Sequence, residues 1–246
     1  MSARAGASLG VLFSSLLSGS ALGQDAVAIV GGEVRPVSGP ILERGTVLIE
    51  GERIGAVGPD VAIPEGARVI DASGQIVTPG LVAADTQIGL LEIGLEPMSN
   101  DAHPRTGHPI RAALRADDAF DIASSLVGVA RRHGVTSAIS RPDGGLVRGR
   151  AGWFDLLSPQ DPGAAEAFVG LVGLHVALGE QGAAAVAGSR TAAMARLRAF
   201  IEDARIFRAR RADFRENDLY RLSAGRLDLE AAEPALLRRT PVVIEA

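Results

Sequence analysis

The sequence contains no cysteine and no lysine, and these absences exclude several kinds of chemistry at once. Without cysteine there is no disulfide, no thiolate nucleophile, no thiolate zinc site and no lipid-modified cysteine of the lipoprotein type. All 25 basic residues are arginine. This removes Schiff-base chemistry, lysine general bases and a carbamylated lysine as a bridge between metal ions.

Aromatic residues and net charge are also scarce. Only 4% of the 246 residues are aromatic, and the formal net charge is −4. A field this weak favours neither nucleic acid nor an anionic membrane as a partner, so we expect neither. The hydrophobic content of 47% is ample for one or two globular domains, and nothing indicates a disordered or fibrous protein.

The first residues have the features of an export signal. One positive charge at Arg4 precedes an apolar stretch, and small residues follow at Ala21 and Gly23. The strongly apolar part, residues 9–17, is far shorter than the roughly 20 residues that span a bilayer. We therefore expect a signal peptide over residues 1–23, cleaved after Gly23, and a periplasmic or secreted protein. A membrane anchor is the alternative.

Residues 24–78 predict a small β domain. Short runs of β-branched and apolar residues alternate with turn signals. The turns are expected at Gly31-Gly32, Gly51-Glu52, Gly58-Pro59 and Ser73-Gly74.

Beyond Pro79, helical periods alternate with isolated strands, which is typical of βα units in a parallel sheet. A helix ending at Gly134 leads into a strand over residues 135–140, and Ser189 is expected to cap a long helix. The apolar face of the first helix is predicted to contain Ala119, Ile122, Ala123, Leu126, Val129 and Ala130. The stripe of the long helix is predicted to contain Met194, Leu197, Ile201, Ala204 and Phe207.

Three further segments have simpler predictions. The glycine-rich residues 142–158 indicate a loop or hairpin, residues 167–179 a strand or a buried helix, and residues 240–246 a buried strand. The arginines of the long helix lie largely away from its stripe, which favours a solvated face. A basic nucleic-acid patch is the alternative.

A set of landmarks carries a resemblance to a known family. They are Gly51, Arg53-Ile54, Val57-Gly58, Ile70-Asp71-Ala72, Gly74 and Pro79-Gly80-Leu81. Together they resemble the N-terminal region of the amidohydrolase superfamily, and the later text is similar to its imidazolonepropionase-like subgroup. The resemblance implies an α/β fold in which a small β domain at residues 24–78 leads into a TIM-like (β/α)8 metallohydrolase barrel. It also implies hydrolysis of carbon–nitrogen bonds other than peptide bonds in a small-molecule substrate.

The chain departs from this family at the metal-binding positions. Where the family has His-x-His, projecting from one face of the first barrel strand, this sequence has Asp85 and Gln87. Glu245 stands where relatives often have a histidine ligand. The resemblance thus places the metal positions at Asp85, Gln87 and Glu245, but a neutral amide is a weak ligand for zinc. We expect zinc at well below one equivalent.

The four histidines offer no convincing alternative site. His103 and His108 lie in a proline-broken loop that favours an ordinary surface loop over a metal site. His133 suits a helix C-terminus, and His175 lies in an apolar run, as a hydrogen-bonded core residue would.

Residues 79–246 are expected to form only part of a barrel, because a complete one needs about 250 residues of its own. An incomplete barrel exposes a strand edge that promotes aggregation, self-association or pairing with another chain. Two interpretations remain open. One is a metal-dependent amidohydrolase. The other is a non-catalytic, truncated remnant that serves as a binding or interaction module.

Overall fold

The computed structural model describes residues 26–104, 107–214 and 222–246. The chain divides after Pro79 into two compact units, Met1–Pro79 and Gly80–Ala246. The signal peptide predicted over residues 1–23 lies outside the described residues. Among the residues that are described, no helix is long and apolar enough to cross a membrane.

The first unit contains one five-stranded sheet. Its strands are β1 (Ala26–Val34), β2 (Leu42–Glu50), β3 (Arg53–Gly58), β4 (Arg68–Asp71) and β5 (Ile76–Val77). The order is β3-β2-β1-β4, and β5 also pairs with β1. β1 and β4 are parallel, whereas β2 is antiparallel to both of its neighbours.

The β2–β3 hairpin illustrates how the sequence determines this sheet. Gly51 and Glu52 form a two-residue connection, and Gly51 has a φ of +59°, which glycine adopts at little cost. Ala26, Ala28 and Leu48 pack together as the buried centre of the unit. The predicted turns at Gly51-Glu52, Gly58-Pro59 and Ser73-Gly74 follow strands, but the turn predicted at Gly31-Gly32 is wrong, because these residues lie within β1 where its pairing with β2 shifts register.

The second unit contains a mixed five-stranded sheet. Its strands are β6 (Leu81–Thr86), β7 (Val135–Ser140), β8 (Val147–Asp155), β9 (Phe168–Ala177) and β10 (Val242–Glu245), in the order β10-β9-β8-β7-β6. β6 is parallel to β7, and β9 is parallel to β10. β8 is antiparallel to β7 and β9.

The parallel pairing expected of βα units is present between β6 and β7, but β8 pairs antiparallel with both of its neighbours. The connection from β7 to β8, residues 141–146, is too short for the crossover that parallel neighbours require. It forms a hairpin, which is one of the two structures that the glycine-rich sequence indicates. Residues 168–177 are a strand rather than a buried helix.

Helices cover one side of this sheet. They are α1 (Ser125–Arg132), α2 (Glu180–Ala184), α3 (Arg190–Ala209), α4 (Arg226–Ala231) and α5 (Glu233–Leu236), with short 3-10 turns at Pro97–Ser99, Ala116–Asp118, Ala164–Glu166 and Arg211–Asp213. As predicted, the Ser189 side chain accepts a hydrogen bond from the Ala192 amide at 3.3 Å and caps α3. The buried face of α3 is formed by Ala193, Phe200, Ala204 and Phe207, which pack with Leu174 and Val176 of β9. Of the predicted stripe, Ala204 and Phe207 are buried, whereas Met194, Leu197 and Ile201 are only partly buried.

Helix α1 is shorter than its periodicity predicts. Asp121 accepts a hydrogen bond from the Ala123 amide at 2.8 Å, which holds a turn immediately before the helix and competes with helical hydrogen bonding. Ala119 and Ile122 therefore lie outside α1, and Val129 is 42% exposed while Val127 is buried. The predicted apolar face is wrong in these respects.

The predicted burial of the last strand is also wrong. Val242, Val243 and Ile244 of β10 are 47%, 41% and 56% exposed. β10 is a terminal strand of the sheet, so its outer edge has no neighbouring strand among the described residues.

Candidate functional site

The three predicted metal positions lie where the parallel strands of the second sheet end, a place that we call its carboxyl edge. β6, β7, β9 and β10 run in the same direction, so their carboxyl ends share this edge, and β8 begins there because it runs the opposite way. Asp85 lies near the end of β6, Gln87 follows that strand, and Glu245 ends β10. The structure brings them together through residues of the β7–β8 hairpin.

Arg141 is the centre of this arrangement. It follows β7 directly, and its backbone amide donates to the Thr86 carbonyl at 3.0 Å, which extends the β6–β7 pairing beyond β7. Its guanidinium donates to Asp85 and contacts Glu245 at 3.3 Å. Two carboxylates from the opposite terminal strands of the sheet therefore meet at one cation.

Arg148 provides a second cation from the start of β8. Its side chain is only 1% exposed, forms an ion pair with Glu245, and lies 3.1 Å from an Asp143 oxygen. The Gln181 side-chain oxygen accepts a further hydrogen bond from Arg148 at 2.5 Å. Asp143 in turn lies 3.3 Å from Arg141, so the two guanidinium groups share two carboxylates.

Gln87 completes the group by donating from its amide nitrogen to Asp143 at 2.9 Å. The resemblance places Gln87 at a ligand position, where its amide oxygen would face a metal, but its hydrogen bond here comes from the nitrogen. We use the name strand-end cluster for Asp85, Gln87, Arg141, Asp143, Arg148 and Glu245.

The hairpin between β7 and β8 positions Asp143 by its backbone. The Asp143 amide donates to the Ala102 carbonyl at 2.6 Å, and the Gly144 amide donates to the Asp143 carboxylate at 2.8 Å. Gly144 and Gly145 have φ values of +78° and +84°. A Cβ on Gly145 would lie 2.8 Å from the Pro109 carbonyl oxygen, so the chain fits here only with glycine.

The electrostatics of the cluster follow from burial and from its mixed charges. Burial alone would raise the pKa of Asp143, but the Gly144 amide, Arg148, Arg141 and Gln87 outweigh it and hold this pKa below its ordinary value. Burial alone would lower the pKa of Arg141, but Asp85, Asp143 and Glu245 raise it instead. Both residues therefore remain charged at neutral pH.

His175 lies in β9 beside the strand-end cluster and is 5% exposed. Burial, followed by the nearby Arg141, lowers its pKa below the ordinary value of 6.5, although Asp85 acts in the opposite direction. The imidazole is therefore neutral at neutral pH. The prediction of a core residue agrees with this burial.

The other histidines do not form a metal pair. His103 is largely exposed, with its ring 3.9 Å from Asp143. The two His108 ring nitrogens face the Ile110 amide at 3.3 Å and Arg196 at 2.7 Å. His133 caps the C-terminus of α1, with its ring 2.8 Å from the Val129 carbonyl oxygen.

The residues present do not fit a divalent metal. Asp85 and Glu245 already direct their carboxylates at guanidinium groups, and Gln87 presents a hydrogen-bonded amide. Throughout the three described ranges, no group of three or more histidine, aspartate or glutamate side chains is arranged to hold an ion. A bound guanidinium has no exchangeable coordination position and cannot activate water as zinc does.

Sequence reasoning missed Arg141, Asp143 and Arg148, which hold the cluster together. The available signal was their position, since Arg141 and Asp143 follow directly on the strand predicted over residues 135–140. Side chains at this point lie beside the end of a parallel neighbour, which here is β6.

A polar cavity of about 370 Å³ opens beside the cluster. Its lining includes Gln181, Arg190 and Glu245, so it shares Glu245 with the strand-end cluster. This volume suits a small polar molecule.

Comparisons with known proteins give short sequence matches. No family model matches the chain. The chain is 47% identical over 62 residues to a 5-methylthioadenosine/S-adenosylhomocysteine deaminase of Symbiobacterium thermophilum, which covers 24% of the chain and 14% of the enzyme. It is 46% identical over 46 residues to the dihydroorotase of Mycobacterium tuberculosis, covering 19% and 11% respectively. The chain therefore aligns with only a small part of these relatives.

The match to a solved structure is much longer. An amidohydrolase from Thermotoga maritima superimposes with a TM-score of 0.75 at 21% sequence identity. The match covers 89% of this chain and 58% of the amidohydrolase chain. The chain therefore has the α/β fold of part of that amidohydrolase chain.

Proposed function

We propose that this chain is an amidohydrolase-like module that does not hydrolyse carbon–nitrogen bonds and instead pairs with a second copy of itself along the open edge of its second sheet. The observation that carries the first half of the proposal is the pairing of Asp85 and Glu245 with Arg141. These are two of the three positions at which the resemblance places a metal. Both carboxylates are already ion-paired to a side chain with no coordination position for water.

The outer edge of β10 supports the second half of the proposal. The Pro241 and Glu245 carbonyls accept hydrogen bonds from Leu174 and Leu178 at 3.0 and 2.7 Å, so they face β9. Because strand residues alternate, the backbone groups of Val242 and Ile244 face away from β9. Unpaired groups of this kind can accept another strand.

An apolar cavity beside the outer edge of β10 also favours the addition of a further strand. It has a volume of about 340 Å³ and lies between β10, β9 and the helices. Val242 and Ile244 line it together with Leu174, Phe200 and Ile201. A strand added at β10, followed by a helix over this cavity, would continue the sheet as a partial barrel.

The edge proposal is tested by replacing Ile244 in two ways. Ile244→Pro removes the outward N–H without touching the hydrogen bonds to β9, whereas the control Ile244→Thr keeps it. We expect the unaltered chain to self-associate in size-exclusion chromatography with light scattering, and Ile244→Pro to reduce this more than Ile244→Thr. A stable monomer before any substitution would contradict the proposal.

A hydrolase of small-molecule carbon–nitrogen bonds is the second candidate. It is favoured by the convergence of Asp85, Gln87 and Glu245 at the strand ends, beside a polar cavity, in a fold shared with an amidohydrolase. In this interpretation a divalent metal would supply the water-derived nucleophile. A panel of cyclic amides and aminopurines, assayed with added zinc and with a chelator, distinguishes the two. We expect no turnover, and chelator-sensitive turnover would favour the hydrolase.

We further propose that residues 1–23 direct export to the periplasm or beyond, on the evidence of the sequence pattern alone. Expression in a bacterial host with N-terminal sequencing of the periplasmic product tests this. A mature chain that begins at Gln24 is expected, and an uncleaved cytoplasmic chain would contradict it.

A further inference from the structure

The strand-end cluster joins residues from different strands at the carboxyl edge of the second sheet, as a metal ion joins its ligands. Asp85 comes from β6, Asp143 from the β7–β8 hairpin and Glu245 from β10, and all three lie against the Arg141 guanidinium. The Arg141 side chain is 11% exposed, whereas those of Asp85 and Glu245 are 53% and 40% exposed. One cation thus holds together carboxylates from the two terminal strands and the centre of the sheet.

We propose that the Arg141 guanidinium substitutes for a divalent metal ion in the strand-end cluster, and that its removal converts the cluster into a divalent-cation site. The inference rests on the proposed non-hydrolytic function and deepens it. It assigns Arg141 a positioning role, with no contact to a substrate.

The charge balance supports this substitution. The cluster contains three carboxylates and two guanidinium groups, so loss of Arg141 leaves three carboxylates with Arg148, which contacts Asp143 and Glu245 but forms no ion pair with Asp85. Close carboxylates repel one another, and this repulsion is relieved by a cation. The cluster without Arg141 therefore requires a positive charge that solvent can supply.

The donor atoms that remain suit a hard cation. Carboxylate oxygens are the usual ligands of Mn²⁺ and Mg²⁺. In the intact protein the Arg141 guanidinium lies in contact with all three carboxylates. The side chains of Asp85 and Glu245 are 53% and 40% exposed, so both can rotate toward an ion once Arg141 is absent.

The test compares Arg141→Ala with the unaltered chain and with Arg115→Ala by isothermal titration of Mn²⁺. Arg115 is a matched control, because it also pairs with two carboxylates, Asp117 and Asp118, away from the cluster. We expect the dissociation constant of Arg141→Ala for Mn²⁺ to be at least tenfold lower than those of the other two proteins. Mn²⁺ should also raise the melting temperature of Arg141→Ala alone.

Every outcome of this experiment is informative. Equal Mn²⁺ affinity in all three folded proteins would overturn the inference while leaving the absence of turnover, and thus the proposed function, intact. If Arg141→Ala is unfolded without metal, refolding by Mn²⁺ supports the inference. Arg141→Gln, which keeps hydrogen-bond donors but no charge, is then titrated, and its failure to gain affinity would equally overturn it. Chelator-sensitive turnover by the unaltered chain would instead contradict the proposed function.

Discussion

At the scale of single residues, the strand-end cluster combines partners of very different exposure, and this decides what each contributes to stability. The Arg148 side chain is almost completely buried, whereas Asp85 is half exposed. Removing one partner of a buried ion pair leaves an uncompensated charge, but an exposed pair is screened by water.

Arg148→Met is therefore expected to lower the free energy of unfolding by about 3 kcal/mol, because Glu245 and Asp143 lose their most buried partner. Asp85→Asn is expected to cost less than about 1 kcal/mol. Urea denaturation of both variants measures the difference. Equal losses would mean that the buried contacts of Arg148 contribute no more to the free energy of unfolding than the exposed contact of Asp85.

Asp228 gives a prediction for pH dependence. Burial raises its pKa above the ordinary value of 3.8, while the hydrogen bond from the Ala113 amide at 2.8 Å acts in the opposite direction. Since the folded state resists ionisation, the contribution of Asp228 to stability is present below its unfolded pKa and is lost as the pH rises through its folded pKa.

Asp228→Asn keeps an oxygen for the Ala113 amide but removes the ionisation. We expect this variant to be more stable than the unaltered protein at pH 7, with the difference shrinking toward zero below about pH 3.8. Urea denaturation at a series of pH values tests it. A difference that is constant with pH would show that Asp228 ionises equally in both states.

At the scale of elements, the β7–β8 hairpin is the feature that assembles the site. Gly145 and Gly134 have nearly the same φ, +84° and +85°, but only Gly145 would place a Cβ against backbone. Gly134→Ala is expected to cost about 1 kcal/mol from its left-handed conformation. Gly145→Ala should cost clearly more, because the Pro109 carbonyl cannot move aside easily.

Urea denaturation of these two variants separates backbone strain from steric conflict. Similar losses would indicate that the hairpin tolerates a shift at Gly145, and that Asp143 is not fixed by its backbone.

Elements that depend on local signals were predictable from the sequence. The Gly51-Glu52 turn, the Ser189 cap and the helix stop at Gly134 each follow from short patterns, and all are present. The start of α1 was not predictable from periodicity, because the Asp121 turn competes with the helix. The exposure of β10 was missed because an apolar strand has the same pattern at the centre of a sheet and at its edge.

The site was predictable only in part. Alternation along β6 and the resemblance located Asp85, Gln87 and Glu245, which the structure does bring together. Arg148, one of the two arginines that join them, lies at the same edge as the ends of its neighbours only because β8 runs in the reversed direction. The hydrophobic periodicity of a strand does not predict the direction in which it runs within the sheet.

At the scale of the whole molecule, the chain corresponds to 58% of the amidohydrolase chain that it superimposes on. Its second unit carries a sheet whose terminal strand β10 exposes apolar side chains and backbone groups. The same sheet carries a cluster in which side-chain cations take the place of a metal. β10 belongs to both features, because its Ile244 lies at the outer edge of the sheet and its Glu245 belongs to the strand-end cluster.

The central claim is that the unaltered protein balances its strand-end carboxylates with arginine and needs no metal. Elemental analysis of the purified protein, combined with melting curves in the presence of zinc and of a chelator, tests it most directly. The account predicts zinc at well below one equivalent and the same melting temperature in both conditions. Stoichiometric zinc that stabilises the protein and is lost in Asp85→Ala would contradict it.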